Sequence, residues 1–106
     1  MVTYSREAIF HALADARRRE ILDLLREGER PAGSIAERFS VSRPAISRHL
    51  RVLRGAGLVL RRKNAQSRLY RLNPDAFREL DAWLDRYRVF WAARLQDLKH
   101  YVEGDR

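Results

Sequence analysis

A chain of 106 residues has room for one hydrophobic core and little for a second, so no separate catalytic domain is expected. Its 22 Lys and Arg outnumber its 14 Asp and Glu, for a formal net charge of +8, and 20 of the 22 are Arg, whose planar fork suits phosphate and guanine, so a polyanion is the expected partner. Cysteine is absent, which excludes disulfides, thiolate metal sites and cysteine nucleophiles; no apolar run reaches spanning length and no signal-peptide pattern opens the chain, so a soluble, cytoplasmic protein is expected.

In chain order, Ser5 is placed to cap a first helix with Ile9, Phe10 and Leu13 at helical spacing, and Asp15 a second carrying Ile21, Leu22, Leu24 and Leu25. Gly28 ends the second helix, and Pro31 opens a short third with Ile35, Ala36 and Phe39. Ser40-Val41-Ser42 makes a three-residue turn, with Ser42 as N-cap of a fourth helix from Arg43 to Arg54, whose Ile46, Leu50 and Leu53 face inward before Gly55 and Gly57 stop it. Leu58–Lys63 and Arg68–Leu72 read as strands of a hairpin with the tip Asn64-Ala65-Gln66-Ser67. Asn73-Pro74 starts a last helix, where Phe77, Leu80, Trp83, Leu84, Tyr87, Phe90, Trp91, Leu95, Leu98, Tyr101 and Val102 keep helical spacing almost to the end. The predicted architecture is mainly α with a small β-hairpin: a winged helix-turn-helix spanning residues 1–106 as one domain, with the helix-turn-helix at 34–54, the wing at 58–72 and a long dimerisation helix at 74–103.

Between Glu37 and Asp75 there is no acidic residue, while Arg38, Arg43, Arg48, Arg51, Arg54, Arg61, Arg62, Lys63, Arg68 and Arg71 all lie there. A uniformly Arg-rich chain does not segregate its acids in this way, so the window marks a binding face. It coincides with the predicted helix-turn-helix and hairpin, the arrangement that sets one helix in the major groove of double-stranded DNA. Ser47, Arg48, Arg51 and Arg54 lie on the face of the fourth helix opposite its apolar residues, the earlier ones toward base edges and the later ones toward phosphates.

Three stretches, ALADARRREILDLL, SIAERFSVSRPAISRHLRVLRGAGLV and the hairpin ending SRLYRLNP, resemble the ArsR/SmtB family of bacterial winged-helix repressors over nearly the whole chain. The resemblance implies a homodimer formed by the first and last helices, and repression relieved by an inducer that the sequence does not name. It places base contacts on Ser42, Arg43, Ser47 and Arg48, and wing contacts within Arg61 to Arg68, on Arg61, Arg62, Lys63, Gln66 and Arg68. Ser42 reads equally as a cap alone, and His49 as a phosphate contact or a spacer packed beside Ala45 and Val52, the spacer being favoured.

The chain departs from the family pattern at several places. Asp15-Ala16 stands for the frequent Asp-Pro, and the wing tip lacks glycine, leaving Asn64 as the expected left-handed residue. The family's Cys-x-Cys falls on Pro31-Ala32-Gly33. His100-x-x-Glu103 has the spacing of half of the family's second metal site, but Tyr87 and Val89 stand where the other half lies, so solvated helix-end residues are the better reading. No metal and no cofactor is expected.

His11, His49 and His100 fall on three helices without a nucleophile or carboxylate dyad, and no Gly-rich phosphate loop is present, so no enzyme is expected. About 30 helical residues in the last segment would span roughly 45 Å, more than this domain needs for itself. Its near-cancelling charges speak against a membrane-surface role, and its aromatics read as a dimer core or the lining of an inducer pocket, the dimer core being favoured. Phe77, Leu80, Trp83, Leu84, Tyr87, Phe90, Trp91, Leu95 and Leu98 are the predicted dimerisation residues. The expected function is a dimeric, sequence-specific DNA-binding regulator, a repressor at an inverted-repeat operator; the alternative is a winged-helix protein-interaction module whose basic face is incidental.

Overall fold

The computed structural model describes residues 4–104. The elements run α1 (Arg6–Leu13), α2 (Ala16–Leu25), β1 (Arg30–Pro31), α3 (Ala32–Glu37), α4 (Arg43–Gly55), β2 (Val59–Asn64), β3 (Ser67–Leu72) and α5 (Pro74–Gly104). Three helix starts are capped by the serine and aspartate residues expected from sequence. The side chains of Ser5, Asp15 and Ser42 accept hydrogen bonds from the backbone N–H of Ala8, Arg18 and Ala45, each satisfying a donor that the first helical turn leaves without a partner.

Ile9, Ile21, Ile35, Ile46, Leu50, Leu53 and Leu58 are fully buried, so the core is where α1, α2, α3 and α4 converge under the root of the wing. Fully burying each such side chain contributes about 1.5–3 kcal/mol. Val59, Tyr70 and Ala76 extend this core into the sheet and the first turn of α5.

The hairpin is part of a three-stranded antiparallel sheet of order β1-β3-β2. In addition to the expected hairpin, β1 pairs with β3 in the register Arg30↔Tyr70 and Pro31↔Leu69. Pro31 therefore ends a strand and caps α3 without a side-chain hydrogen bond. The β2–β3 ladder runs from Val59↔Leu72 to Asn64↔Ser67, which leaves Ala65 and Gln66 as the tip. Sequence placed the left-handed residue at Asn64, but Asn64 is still paired in the ladder. The chain reverses one residue later, at Ala65, with φ of 57°.

Asn73 joins the wing to α5. It is buried, and its amide nitrogen donates to Tyr4 Oη at 2.9 Å and to the Gly57 carbonyl at 2.8 Å, while its side-chain oxygen accepts from Asp75 N–H at 3.2 Å. A buried amide satisfied on both sides rigidifies the junction. Gly57 has φ of +79° and its Cα lies against the Tyr4 ring, where a Cβ would come within 2.1 Å of a ring carbon, so only glycine fits.

The last helix leaves this body. Phe77 and Leu80 pack on the core, Trp83 and Leu84 are half-buried, and every residue from Val89 to Gly104 is exposed. With a length of about 46 Å at 1.5 Å per residue, α5 draws the molecule out to 64 × 35 × 21 Å. No helix among the described residues is long and apolar enough to cross a membrane.

Candidate nucleic-acid interface

Helix α4 is strongly two-sided. Ile46, Leu50 and Leu53 are at most 1% exposed, whereas Arg43, Ser47, Arg48, Arg51 and Arg54 are all exposed. The i, i+3, i+4 spacing of the apolar set turns the arginines outward. Short α3 packs against α4, and the turn between them ends at Ser42, whose hydroxyl oxygen is engaged as a cap by Ala45 N–H at 3.3 Å. Arg43 lies over Gly33, its guanidinium 3.8–3.9 Å from where a Cβ would stand.

The wing rises beside this helix. A cleft of about 310 Å³ separates the two, lined by Arg43 and Ser47 on α4 and by Gln66, Ser67, Arg68 and Tyr70 on the wing. Residues of α4 and residues of the wing, expected separately from sequence, thus face one polar space. Lys63 and Arg68 are directly opposed across the ladder, and like charges in that position cost stability. Among the described residues, no ion pair or side-chain hydrogen bond takes Arg43, Arg48, Arg51, Arg54, Arg61, Lys63 or Arg68. A cationic surface left unneutralised in this way attracts polyanions.

Arg62 is placed differently. Side chains alternate along a strand, so Arg62 projects from the face opposite Arg61 and Lys63. There Glu29 accepts from its Nε and Nη2 at 2.8 and 2.7 Å, with Arg71 Nε at 4.0 Å. The Arg62 hydrogen bonds hold the Glu29 carboxyl below its ordinary range, against an opposing effect of burial, with the charges of Arg62 and Arg71 adding to the lowering. Sequence reasoning missed Glu29 because it lies outside the acid-free window; strand alternation alone separates Arg62 from Arg61, but only the β1–β3 pairing brings Glu29 alongside.

His49 is half-buried, with Nδ1 3.5 Å from Arg18 Nη1, and Arg18 is itself anchored to the carbonyls of Ala12 at 2.7 Å and His11 at 3.0 Å. This contact is with α2, beyond the expected neighbours Ala45 and Val52. His100 is exposed near the end of α5, its Nε2 3.3 Å from Gln96 Nε2. Among the described residues, no group of three or more His, Asp or Glu is gathered as a metal site would need.

The predicted dimerisation residues divide into two groups. Phe77, Leu80, Trp83 and Leu84 are partly covered by the chain itself, while Tyr87, Phe90, Trp91, Leu95 and Leu98 are exposed by 42–62%. These exposed aromatic and leucine side chains form an apolar stripe along one helix, the kind of feature that marks interaction surfaces in proteins generally.

A helix-turn-helix with an exposed cationic helix and a basic antiparallel wing defines a winged helix-turn-helix domain. The chain matches the bacterial regulatory protein, arsR family, over residues 15–60. It is 40% identical over 76 residues to the transcriptional repressor SdpR of Bacillus subtilis, covering 72% of this chain and 84% of that protein. It is 38% identical over 106 residues to the HTH-type transcriptional regulator Rv2034 of Mycobacterium tuberculosis, covering 99% of this chain and 96% of that one. Its fold is similar to the solution structure of a homodimeric winged helix-turn-helix DNA-binding domain from Mycobacterium bovis, with a TM-score of 0.64, 29% identity, and 82% of this chain and 92% of that one covered. The chain belongs to the ArsR family, whose members are transcriptional regulators and not enzymes.

Proposed function

We propose that this chain is a homodimeric transcriptional repressor of a bacterial-type cytoplasm that binds an inverted-repeat operator in double-stranded DNA. The observation that carries the reading is the unpaired cationic surface shared by α4 and the wing. Helix α4 enters the major groove, with Ser42, Arg43, Ser47 and Arg48 toward base edges and Arg51 and Arg54 toward phosphates. Arg61, Lys63, Gln66 and Arg68 follow the adjacent backbone. Two copies joined through α5, with α1, present their α4 helices to successive major grooves about 34–36 Å apart. The exposed apolar stripe of α5, the repressor relative and the homodimeric neighbour support the dimer and the direction of control.

The test is an electrophoretic shift on DNA from the protein's own upstream region, with excess non-specific competitor, at two salt concentrations. A shift that survives competitor and maps to an inverted repeat is expected. Affinity that is equal for operator and random duplex would leave a protein-interaction module as the better reading.

A further inference from the structure

The wing has two electrostatically distinct faces. Arg61, Lys63 and Arg68 have no acidic partner among the described residues, whereas Arg62 and Arg71 turn toward Glu29. Gly28, with φ of +142°, turns the chain out of α2, and the pairing of Arg30 with Tyr70 then sets Glu29 alongside Arg71. Glu29 is thus the acid that the fold inserts into a basic window that has none in sequence.

We infer that Glu29 is a positioning residue for DNA binding: on the back of the wing, to which strand alternation turns Arg62, its carboxylate occupies the Arg62 guanidinium, with Arg71 beside it, and withholds that cation from the phosphate backbone. This inference rests on the DNA-binding reading above. The contact uses Arg62 Nε and Nη2, the edge through which an arginine takes a phosphate in bidentate fashion, so the two partners compete for the same donors. The Arg62 side chain is 53% exposed, and exposed pairs of this kind add little to stability. What the pair changes is the charge that the wing presents. Each cation withheld removes one phosphate contact from sequence-independent attraction, which leaves base contacts on α4 a larger share of total affinity.

The experiment measures the salt dependence of affinity for a random-sequence duplex, together with the salt needed for elution from heparin. The proteins are the wild type, Glu29→Gln, the double variant Glu29→Gln/Arg62→Gln and Arg61→Gln, with Glu103→Gln at the far end of α5 as a control of equal charge. Glu29→Gln should steepen the slope of log affinity against log salt by about 0.9 for each wing on the duplex, and should elute later than Glu103→Gln. The double variant should return to the wild-type slope, and Arg61→Gln should fall below it. A slope for Glu29→Gln equal to that of Glu103→Gln overturns the inference, as does a double variant as shallow as Arg61→Gln, since Arg62 would then be a phosphate ligand in the wild type. If the wild-type protein shows no salt-dependent duplex binding, the DNA reading fails on its own. Heparin still decides the role of Glu29, because elution of Glu29→Gln no later than Glu103→Gln overturns it.

Discussion

The ring of Phe10 on α1 meets the indole of Trp83 on α5 edge-on, with centroids 4.9 Å apart and planes at 69°, and Tyr87 continues the stack at 5.0 Å from Trp83. One turn earlier, Arg6 Nε donates to Glu79 Oε1 at 2.7 Å. These two contacts tie the first helix to the base of the last, and beyond them α5 has no cover of its own. Two substitutions separate the roles of the two halves. Trp83→Ala should cost about 1–3 kcal/mol of folding stability, because it removes a half-buried aromatic pair. Trp91→Glu should leave the fold of the single chain intact and weaken the dimer. Urea unfolding at two protein concentrations distinguishes them, since only a dimer has a concentration-dependent midpoint. A Trp91→Glu protein that still sediments as a dimer would place the interface elsewhere.

Ala65 holds the only positive φ of a non-glycine residue among the described residues. An L-residue there bears about 1–2 kcal/mol of steric cost, while glycine adds back about 0.4–1 kcal/mol of unfolded-chain entropy. Ala65→Gly should therefore stabilise the protein by a net of about 0.5–1 kcal/mol on those two magnitudes, and Ala65→Val should destabilise it. A lower thermal midpoint for the glycine variant would show that the turn is not strained.

Capped and periodic elements were legible in the sequence because their signals are local. Ser5, Asp15 and Ser42 announce helix starts through their own side-chain oxygens, and the inward spacing of Ile46, Leu50 and Leu53 orients α4 without reference to the rest of the chain. Strand β1 was not legible. It is only Arg30 and Pro31, and it exists because β3 offers an open edge. For the same reason the pairing of Glu29 with Arg62, between residues 33 positions apart, had no trace in the charge pattern. In the sequence Asn73 signals the start of α5, but its side chain also bonds Tyr4 and Gly57, partners that only the folded chain brings together.

Asp15 gives a pH-dependent contribution whose sign is fixed by its contacts. The Arg18 backbone N–H, helped by the charges of Arg18 and His49, holds its carboxyl below the ordinary value of 3.8, against an opposing effect of burial. A depressed folded-state value means that the stabilisation is present above the unfolded value and is lost as pH falls through the folded one. Asp15→Ala should cost about 1 kcal/mol near neutrality, and the gap from wild type should close under acid conditions. Denaturant midpoints across that range check it; a gap constant down to about pH 2 would mean that the ionised carboxylate contributes nothing beyond a neutral cap.

Arg48 and Arg61 offer the sharpest separation of base reading from backbone attraction. Arg48 stands on the exposed face of α4 one residue past Ser47, which lines the cleft toward the wing; Arg61 stands on the wing across from Tyr70. A guanidinium that reads a guanine edge should, when removed in Arg48→Ala, cost about 1–3 kcal/mol of discrimination at one operator position. The same variant should then bind operators altered at that position almost as well as the native one. Arg61→Ala should instead weaken every duplex alike and flatten the salt dependence by about 0.9 for each phosphate no longer neutralised. Titrating both variants against a set of single-position operator changes at two salt concentrations resolves the two patterns. If Arg48→Ala weakens operator and random DNA equally, its guanidinium belongs with the phosphate ligands, and base reading falls to Ser42, Arg43 and Ser47.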